Sequence, residues 1–153
     1  MEIKVQIQGM NELIKLMQKA PAITAREISK TIERSIAAVE SAAKREAPVN
    51  KQTGGGTLRQ KIRSKMTSSI SGEIVAEAPY SVYVHEGTKP HIIVPVRKQA
   101  LANVRTGQFF GKIVHHPGTR ANPFMERAVK KSESKINGYF RSAIDRIVSS
   151  LAR

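Results

Sequence analysis

Four histidines are the side chains of this sequence best suited to metal chemistry: His85, His91, His115 and His116. Imidazole is the commonest protein ligand for transition metals. No pair of them has the i, i+4 spacing of a helix or an H-E-x-x-H motif, and adjacent residues of a strand point to opposite faces. His115 and His116 are therefore poorly placed to chelate one ion together. We predict no metal site and no other bound cofactor.

Catalytic groups are also poorly represented. A hydrolytic site needs a nucleophile beside an oriented base, and the sequence has no G-x-S-x-G motif and no cysteine. Most of the 12 acidic residues accompany Lys or Arg at helical spacing, as Glu40 does with Lys44. Glu86 beside His85 has suitable chemistry, but a structural hydrogen-bonding corner at a turn is the simpler interpretation. The sequence predicts a protein that is not an enzyme.

A glycine-rich segment follows the long helix that is predicted over residues 23–46. Its core is Thr53, Gly54, Gly55 and Gly56, and backbone amides of such a loop can cradle a phosphate. The loop lacks the G-x-x-x-x-G-K-[ST] spacing of a P-loop and precedes a predicted strand, so flexibility is the better interpretation. We expect residues 50–57 to be a mobile loop that becomes ordered on assembly, at an entropic cost that extensive contacts must offset.

Four cations alternate along the next segment, which is predicted to be a strand from Leu58 to Met66. Period-two alternation puts Leu58, Ile62 and Met66 on one face. The other face carries only cations: Arg59, Lys61, Arg63 and Lys65. Such neighbours lie roughly 6.5 to 7 Å apart and repel one another unless screened. Two interpretations stay open: a solvated edge strand that deters aggregation, or a contact with DNA or an acidic protein partner.

The overall charge also favours acidic partners. The 153 residues include 26 Lys and Arg against 12 Asp and Glu, for a net charge of +14. Such a balance is typical of proteins that meet nucleic acid, although a merely basic, solvated surface is equally compatible with it. Length and a hydrophobic content of 40% predict one domain spanning residues 1–153. The N-terminus does not resemble a secretory signal, and no apolar run approaches the roughly 20 residues that span a bilayer, so we expect a soluble protein made in a cytoplasm.

Helical periodicity is clearest in two segments. Residues 23–46 contain no Pro or Gly and repeat apolar side chains three or four apart, which predicts one long amphipathic helix. Asn122-Pro123 has the chemistry of a helix cap and first helical residue, and an apolar stripe continues from Phe124 to the C-terminus. A shorter helix is predicted between Asn11 and Pro21.

Strand patterns fill the remaining segments. Residues 1–8 alternate as a short strand, and the cationic strand is followed by a turn at 69–72 and a strand at 73–78, which predicts a hairpin. Residues 80–85 are predicted to be a strand. Apolar runs at 91–96 and 108–114 predict a second, extended hairpin over residues 89–118. Pro117-Gly118 suits a type II turn that redirects the chain towards the last helix.

The ordered set of motifs resembles a known family. The long helix is followed by Ala47-Pro48, TGGGTLR at 53–59, YSVYVHEGT at 80–88, KPHIIVP at 89–95, HPGTRANPFMERA at 116–128 and a terminal helix. This order is similar to that of the tail-component family of long-tailed bacteriophages, whose members are head–tail joining, neck or tail-completion proteins. The positions that carry the resemblance, and to which it assigns structural roles, are Pro48, Leu58, Tyr80, Tyr83, Gly87, Thr88, Pro117, Gly118, Pro123 and Phe124.

The resemblance implies an α+β fold, in which a curved antiparallel sheet carries the long helix and a C-terminal helix follows. It also implies a structural virion protein that forms a homo-oligomeric ring, with six subunits expected, at the head–tail interface or the end of the tail tube. Implied partners are copies of itself, neighbouring connector or adaptor and tail-tube proteins, and packaged DNA in the channel, but no membrane. The implied location is the host bacterial cytoplasm during assembly and then the neck or tail of the virion.

A second function remains open from the residues alone. The net charge is also compatible with a stand-alone basic module that binds nucleic acid. Only seven aromatic residues occur in the chain, and no aromatic-rich strand suited to base stacking is visible. Steep salt-dependent binding of short duplexes by a monomer would favour this alternative.

Overall fold

The computed structural model describes residues 2–4, 14, 22–50, 55–96, 100–103 and 106–151. Its helices are α1 (Ala22–Glu46), α2 (Thr57–Gln60), α3 (Ser81–Glu86) and α4 (Phe124–Leu151). Its strands are β1 (Glu2–Lys4), β2 (Ile62–Ser68), β3 (Ser71–Ala76), β4 (His91–Ile93), β5 (Leu101–Ala102), β6 (Phe109–Gly111) and β7 (Val114–His116). The fold class is α+β, as predicted.

The described residues form two compact units. The helix–sheet unit draws on Met1–Ser81 and Phe124–Arg153, and the hairpin unit on Val82–Pro123. The predicted helix between Asn11 and Pro21 lies outside the described residues apart from Ile14, which is helical. Among the described helices, none is both long and apolar enough to cross a membrane.

The two long helices pack side by side and confirm the prediction from periodicity. Glu27, near the start of α1, pairs with Arg146 near the end of α4, whereas Glu46 at the end of α1 pairs with Arg127 near the start of α4, so the helices are antiparallel. Ile28 and Ile32 of α1 form a buried cluster with Ile147 of α4, against which Met66, Ile70 and Phe140 pack. Burial of such side chains is the main favourable term in folding.

A three-stranded antiparallel sheet forms the second layer of the helix–sheet unit. Its strand order is β1-β3-β2, with Ile3 opposite Ile74 and Ser64 also opposite Ile74 on the other side. Ile62, Ile74 and Ala76 are buried, because α1 packs on this sheet. The hairpin predicted from β2 to β3 is confirmed.

Two short antiparallel ladders build the hairpin unit. β4 pairs with β7, and β5 pairs with β6. In the first ladder, His91 lies opposite His116, Ile92 opposite His115, and Ile93 opposite Val114. An isolated bridge joins Thr88 to Thr119. These pairings fall within the segment for which the sequence predicts the extended hairpin.

The prediction of one strand from Leu58 to Met66 is wrong in its first half. Residues Thr57–Gln60 form a helical turn, in which the Gln60 amide donates to the Gly56 carbonyl and the Lys61 amide to the Thr57 carbonyl, each at 2.9 Å. Leu58 is buried at 3% exposure. The strand begins only at Ile62, because winding the chain into this turn buries Leu58 next to α1.

The prediction of a strand over residues 80–85 is also wrong. This segment is α3, and its buried side chains, Ser81 and His85, are four residues apart as on a helix. The Ser81 hydroxyl donates to the Ala76 carbonyl at 2.9 Å, and the Ser81 amide donates to the Ala78 carbonyl at 2.9 Å. These bonds turn the chain directly after β3 and start the helix.

Candidate assembly surfaces

The predicted row of four cations on one strand is wrong, because α2 interrupts it. Arg59 lies on α2 and donates from Nη2 to the Ala47 carbonyl at 3.2 Å. Lys61 lies in the turn before β2, and only Arg63 and Lys65 lie on the strand. Lys65 forms an ion pair with Glu73 at 2.6 Å. The four residues therefore occupy different local environments, and their contact with DNA or an acidic partner stays a prediction.

A shallow basic groove lies at the end of α1 instead. It is lined by Arg59 and by five residues of α1: Ala37, Glu40, Ser41, Lys44 and Arg45. Its three cations outnumber the one carboxylate. Lys44 and Arg45 lie in the last turn of α1, where cations interact favourably with the helix dipole. Arg59 is the one member of the predicted row that the fold brings to this groove.

Glu40 links this groove to β2. Its Oε2 accepts hydrogen bonds from the Ser64 amide at 2.8 Å and from the Ser64 hydroxyl, and its Oε1 bonds Lys44. Burial raises the pKa of Glu40, but hydrogen bonds from Lys44 and Ser64 outweigh it and hold the pKa below its ordinary value. β2 is an edge of the three-stranded sheet, so Glu40 satisfies a strand-edge amide that would otherwise face solvent or a neighbour.

The glycine-rich loop is described only in part. Thr53 and Gly54 lie outside the described residues. The Gly55 amide donates to the Asn50 carbonyl at 2.9 Å, and Gly56 precedes α2. Mobility of the loop before assembly stays a prediction.

Two sequence motifs 31 residues apart meet in the hairpin unit. The Thr88 amide donates to the Thr119 carbonyl at 2.9 Å, and the Thr119 amide donates back to the Thr88 carbonyl at 3.1 Å. Gly87 and Gly118 flank this bridge with φ values of +77° and +87°. A Cβ on either glycine would lie 2.3 Å from a carbonyl oxygen, that of Thr119 or Thr88 respectively. We call these four residues the threonine clamp.

Asn122, which follows the threonine clamp in sequence, bonds the C-terminal end of α3. The Asn122 amide donates to the Val84 and His85 carbonyls, at 3.1 and 3.0 Å, which satisfies acceptors that a helix leaves free at its C-terminal end. His85 is buried whereas Glu86 is exposed. Residues 115–124 therefore build a structural corner, and the adjacent His85 and Glu86 do not share one exposed site.

His91 and His116 make structural contacts in the β4–β7 ladder. The rings of His91 and His116 stack with centroids 4.9 Å apart. The Gly118 amide donates to Nδ1 of His116 at 3.0 Å, and Nδ1 of His91 lies 2.9 Å from the Lys89 carbonyl oxygen. Among the residues described, no group of three or more His, Cys, Asp or Glu side chains is arranged to hold a metal ion.

The residues that carry the family resemblance divide between interior and surface. Leu58 and Phe124 are buried, at 3% and 0% exposure, whereas Tyr80 and Tyr83 are exposed, at 43% and 61%. Pro48 lies just after α1 and is exposed, and Pro123 lies half-buried immediately before α4. The buried members stabilise the helix–sheet unit, and the two tyrosines are available for contacts with other molecules.

The hairpin unit carries a set of exposed apolar side chains that was not predicted from the sequence. They are Ile92, Val94, Val96, Phe109, Phe110 and Ile113, with exposures from 48% to 92%. The signal was present in the apolar runs at 91–96 and 108–114. These runs predict strands, but a strand pattern alone does not reveal which side chains face solvent. We call these six residues the hairpin apolar set.

A family model described as "Bacteriophage HK97-gp10, putative tail-component" matches residues 11–87, a span of just over half the chain. The span includes α1, α2, the β2–β3 hairpin and α3. No curated protein and no solved structure gives a significant match.

Proposed function

We propose a role that starts from one premise: the chain belongs to the HK97-gp10-like family of bacteriophage tail components. A tail component is a virion protein, and it interacts with other structural proteins of the phage. We propose that this chain acts through shape and contact rather than catalysis, as a homo-oligomeric ring of six subunits at the head–tail interface or the end of the tail tube. The family match over residues 11–87 carries the proposal.

The geometry of the described residues supports a structural role. Some of their acidic side chains form ion pairs that join α1 to α4: Glu46 pairs with Arg127 and Lys131, and Glu27 pairs with Arg146. The buried His85 lies in a corner of main-chain hydrogen bonds. The most exposed apolar side chains lie on the hairpin unit, as is typical of a protein that buries surface on assembly.

A closed ring needs two different surfaces on each subunit. The three-stranded sheet has β1 and β2 as its edges, and a neighbour can continue a sheet by pairing with an edge strand. At β2 the Ser64 amide is already bound by Glu40, so pairing there requires displacement of a carboxylate. We therefore propose the β1 edge as one of the two ring surfaces.

The role is tested by interrupting the gene with a suppressible stop codon and imaging the particles. Without suppression, we expect heads and tails that are unjoined, or tails with an incomplete end. With suppression, the chain should return to that end of the tail as a closed ring. Normal joined particles that lack the chain would contradict the role, and so would turnover of a small molecule that is lost on replacing His85 or Glu86.

The exposed cations Lys61 and Arg63 serve one of two functions in such a ring. Neither forms an ion pair with another described residue, whereas Lys65 is paired with Glu73. They face DNA in the channel or an acidic surface of a neighbouring ring. The variant K61E/R63E separates these functions, with K130E on the exposed side of α4 as the control. Loss of genome retention from intact rings indicates DNA, and failure to join the neighbouring ring indicates protein.

A stand-alone nucleic-acid-binding module is the second candidate, and the net charge of +14 favours it. It predicts a monomer at every concentration that binds short duplexes, with an affinity that falls steeply as salt rises. Measuring oligomeric state and duplex binding on the same purified sample distinguishes the two candidates. A ring that binds free duplex weakly supports the tail role.

A further inference from the structure

The hairpin unit contains one acidic residue, the exposed Glu86 at the end of α3. Residues 87–125 contain no Asp or Glu, and they contain six Lys or Arg: Lys89, Arg97, Lys98, Arg105, Lys112 and Arg120. Of these, Lys89, Lys112 and Arg120 belong to the described residues, and all three are exposed. At neutral pH, all the charged side chains of this segment are therefore cations.

The same unit exposes bulky apolar side chains on one face of its first ladder. Ile92 lies opposite His115 in the β4–β7 register. Val94 and Ile113 lie one residue beyond the ends of β4 and β7, where continued alternation of side chains would put them on that same face. Ile92, Val94 and Ile113 are 60%, 54% and 60% exposed. This face therefore carries three aliphatic side chains that the described residues leave in contact with solvent.

The second ladder continues this apolar character. Phe109 and Phe110 lie on β6 and are 77% and 48% exposed. Phe110 is three residues from Ile113, so their Cα atoms are at most about 11 Å apart. Lys112 lies between them in sequence. Exposed aromatic and aliphatic side chains with interspersed cations are the composition of an interface that buries apolar anchors beside salt bridges.

Charge decides against a second copy of this chain as the occupant. The chain carries a net +14, and four of its acidic side chains, those of Glu27, Glu40, Glu46 and Glu73, are already engaged by cations of their own molecule. Other acidic side chains of the described residues, such as Glu126 and Glu133, are exposed, but exposed Lys and Arg outnumber them. An acid-free hairpin meeting such a surface would place like charges together, which costs free energy at an interface. DNA would match the charge, but phosphates and sugars offer no apolar surface for Ile92, Val94 and Ile113.

We propose that the hairpin apolar set and its flanking cations dock on a different protein of the tail, one whose surface is acidic and carries an apolar groove. The apolar side chains fill the groove, while Lys89, Lys112 and Arg120 meet carboxylates around it. This inference rests on the proposed role as a tail component, which supplies the partner. It assigns the contact with the different protein to the hairpin unit. That unit does not contain β1, whose edge is proposed as a ring surface.

The test replaces exposed apolar side chains in the full-length chain. The variant F109S/I113S removes two members of the hairpin apolar set. The matched control, I144S/V148S, removes two side chains of α4 that are 44% and 59% exposed. Because all four positions are exposed, we expect both variants to keep the thermal stability and the ring size of the parent, measured by melting and native mass spectrometry.

Incorporation is then measured in tails assembled by a phage that lacks its own copy of the gene. We expect F109S/I113S to lower incorporation by at least about tenfold, the loss typical of truncating interface anchors, and the control to match the parent. Equal incorporation of the two variants would overturn the proposal. Absence of the parent chain itself from tails would instead overturn the proposed function.

The chemistry of the partner is read by photo-crosslinking. A benzophenone amino acid at Phe110 of the full-length chain should crosslink, in assembled tails, to an acidic segment of a different phage protein. Crosslinks confined to a second copy of this chain, to DNA or to a basic protein surface would overturn the proposal. The same amino acid at Asn137, on the exposed side of α4, is the positional control and should not yield that product.

Discussion

Glu40 links α1 to β2 through its side chain. Its carboxylate joins Lys44 of α1 to the main chain and side chain of Ser64 on β2. The pairing with Lys44 could be predicted from the i, i+4 spacing. The bonds to Ser64 could not, because they join residues 24 apart in sequence and depend on how α1 lies across the sheet.

Replacing Glu40 by Gln keeps the side-chain shape and removes the charge. Hydrogen bonds to charged groups contribute about 1.5 to 3 kcal/mol, so E40Q should lower the free energy of unfolding by about 1 to 2 kcal/mol at pH 7. The exposed Glu33 on the same helix supplies the control E33Q, which should change it little. Chemical denaturation measures both variants, and equal effects would contradict the role of Glu40.

The effect of E40Q should depend on pH. The folded-state pKa of Glu40 lies below the ordinary value of 4.5, so the folded carboxyl group binds a proton less readily than the unfolded one. The stability that the ionised Glu40 carboxylate adds to the fold is fully present above about pH 4.5. It is lost as the pH falls through the lowered folded-state pKa. The stability difference between parent and E40Q should shrink between pH 6 and pH 3. A difference that stays constant over this range would contradict the assignment.

Gly87 and Gly118 give a second prediction at the residue scale. Each has a positive φ and lies where a Cβ would meet a carbonyl oxygen at 2.3 Å. G87A or G118A should therefore destabilise the threonine clamp by about 1 to 3 kcal/mol, as expected for backbone strain. Hydrogen exchange at the Thr88 and Thr119 amides measures the effect directly.

The control for the clamp variants is Gly138→Ala. Gly138 lies within α4, and a Cβ there meets no atom within 4 Å. Alanine favours helix over glycine by about 0.8 to 1 kcal/mol, so this variant should be slightly stabilising. Destabilisation by G138A equal to that of G87A would show that the clamp geometry is not the cause.

At the scale of elements, long helices could be predicted from the periodicity of their apolar residues, whereas short ones could not. The 25 residues of α1 and 28 of α4 repeat their apolar side chains over many turns, and both helices were predicted nearly to the residue. The four residues of α2 and six of α3 are too short to distinguish a helical from a strand period. There the outcome was set by local hydrogen bonds, such as that from Ser81 to Ala76.

The ion pairs at the two ends of the α1–α4 pair make an element-scale prediction. Hydrogen bonds from Lys131 and Arg127 hold the pKa of Glu46 below its ordinary value, and a hydrogen bond from Arg146 does the same for Glu27. Exposed ion pairs are screened by salt. The double variant E27Q/E46Q should therefore melt below the parent at low salt, and the difference should narrow at about 1 M salt, where the Debye length is about 3 Å. A difference independent of salt would contradict this account.

At the scale of the whole molecule, surface properties were the hardest to predict. Net charge and the family resemblance were readable from composition and motif order, and the family is shown by the match over residues 11–87. The exposed face of Ile92, Val94 and Ile113 emerged only from strand register, which sequence alone does not fix. The predicted cationic row was wrong for a different reason: one helical turn at Thr57–Gln60 removed Arg59 from the strand.

The most direct measurement of the central claim is the copy number of this chain in purified phage particles. Absolute quantification of its peptides, relative to a tail protein of known copy number, should give one ring of subunits per tail, with six copies as the expected value. Absence of the chain from particles, or a copy number that varies with the amount expressed, would contradict a fixed structural role in the tail.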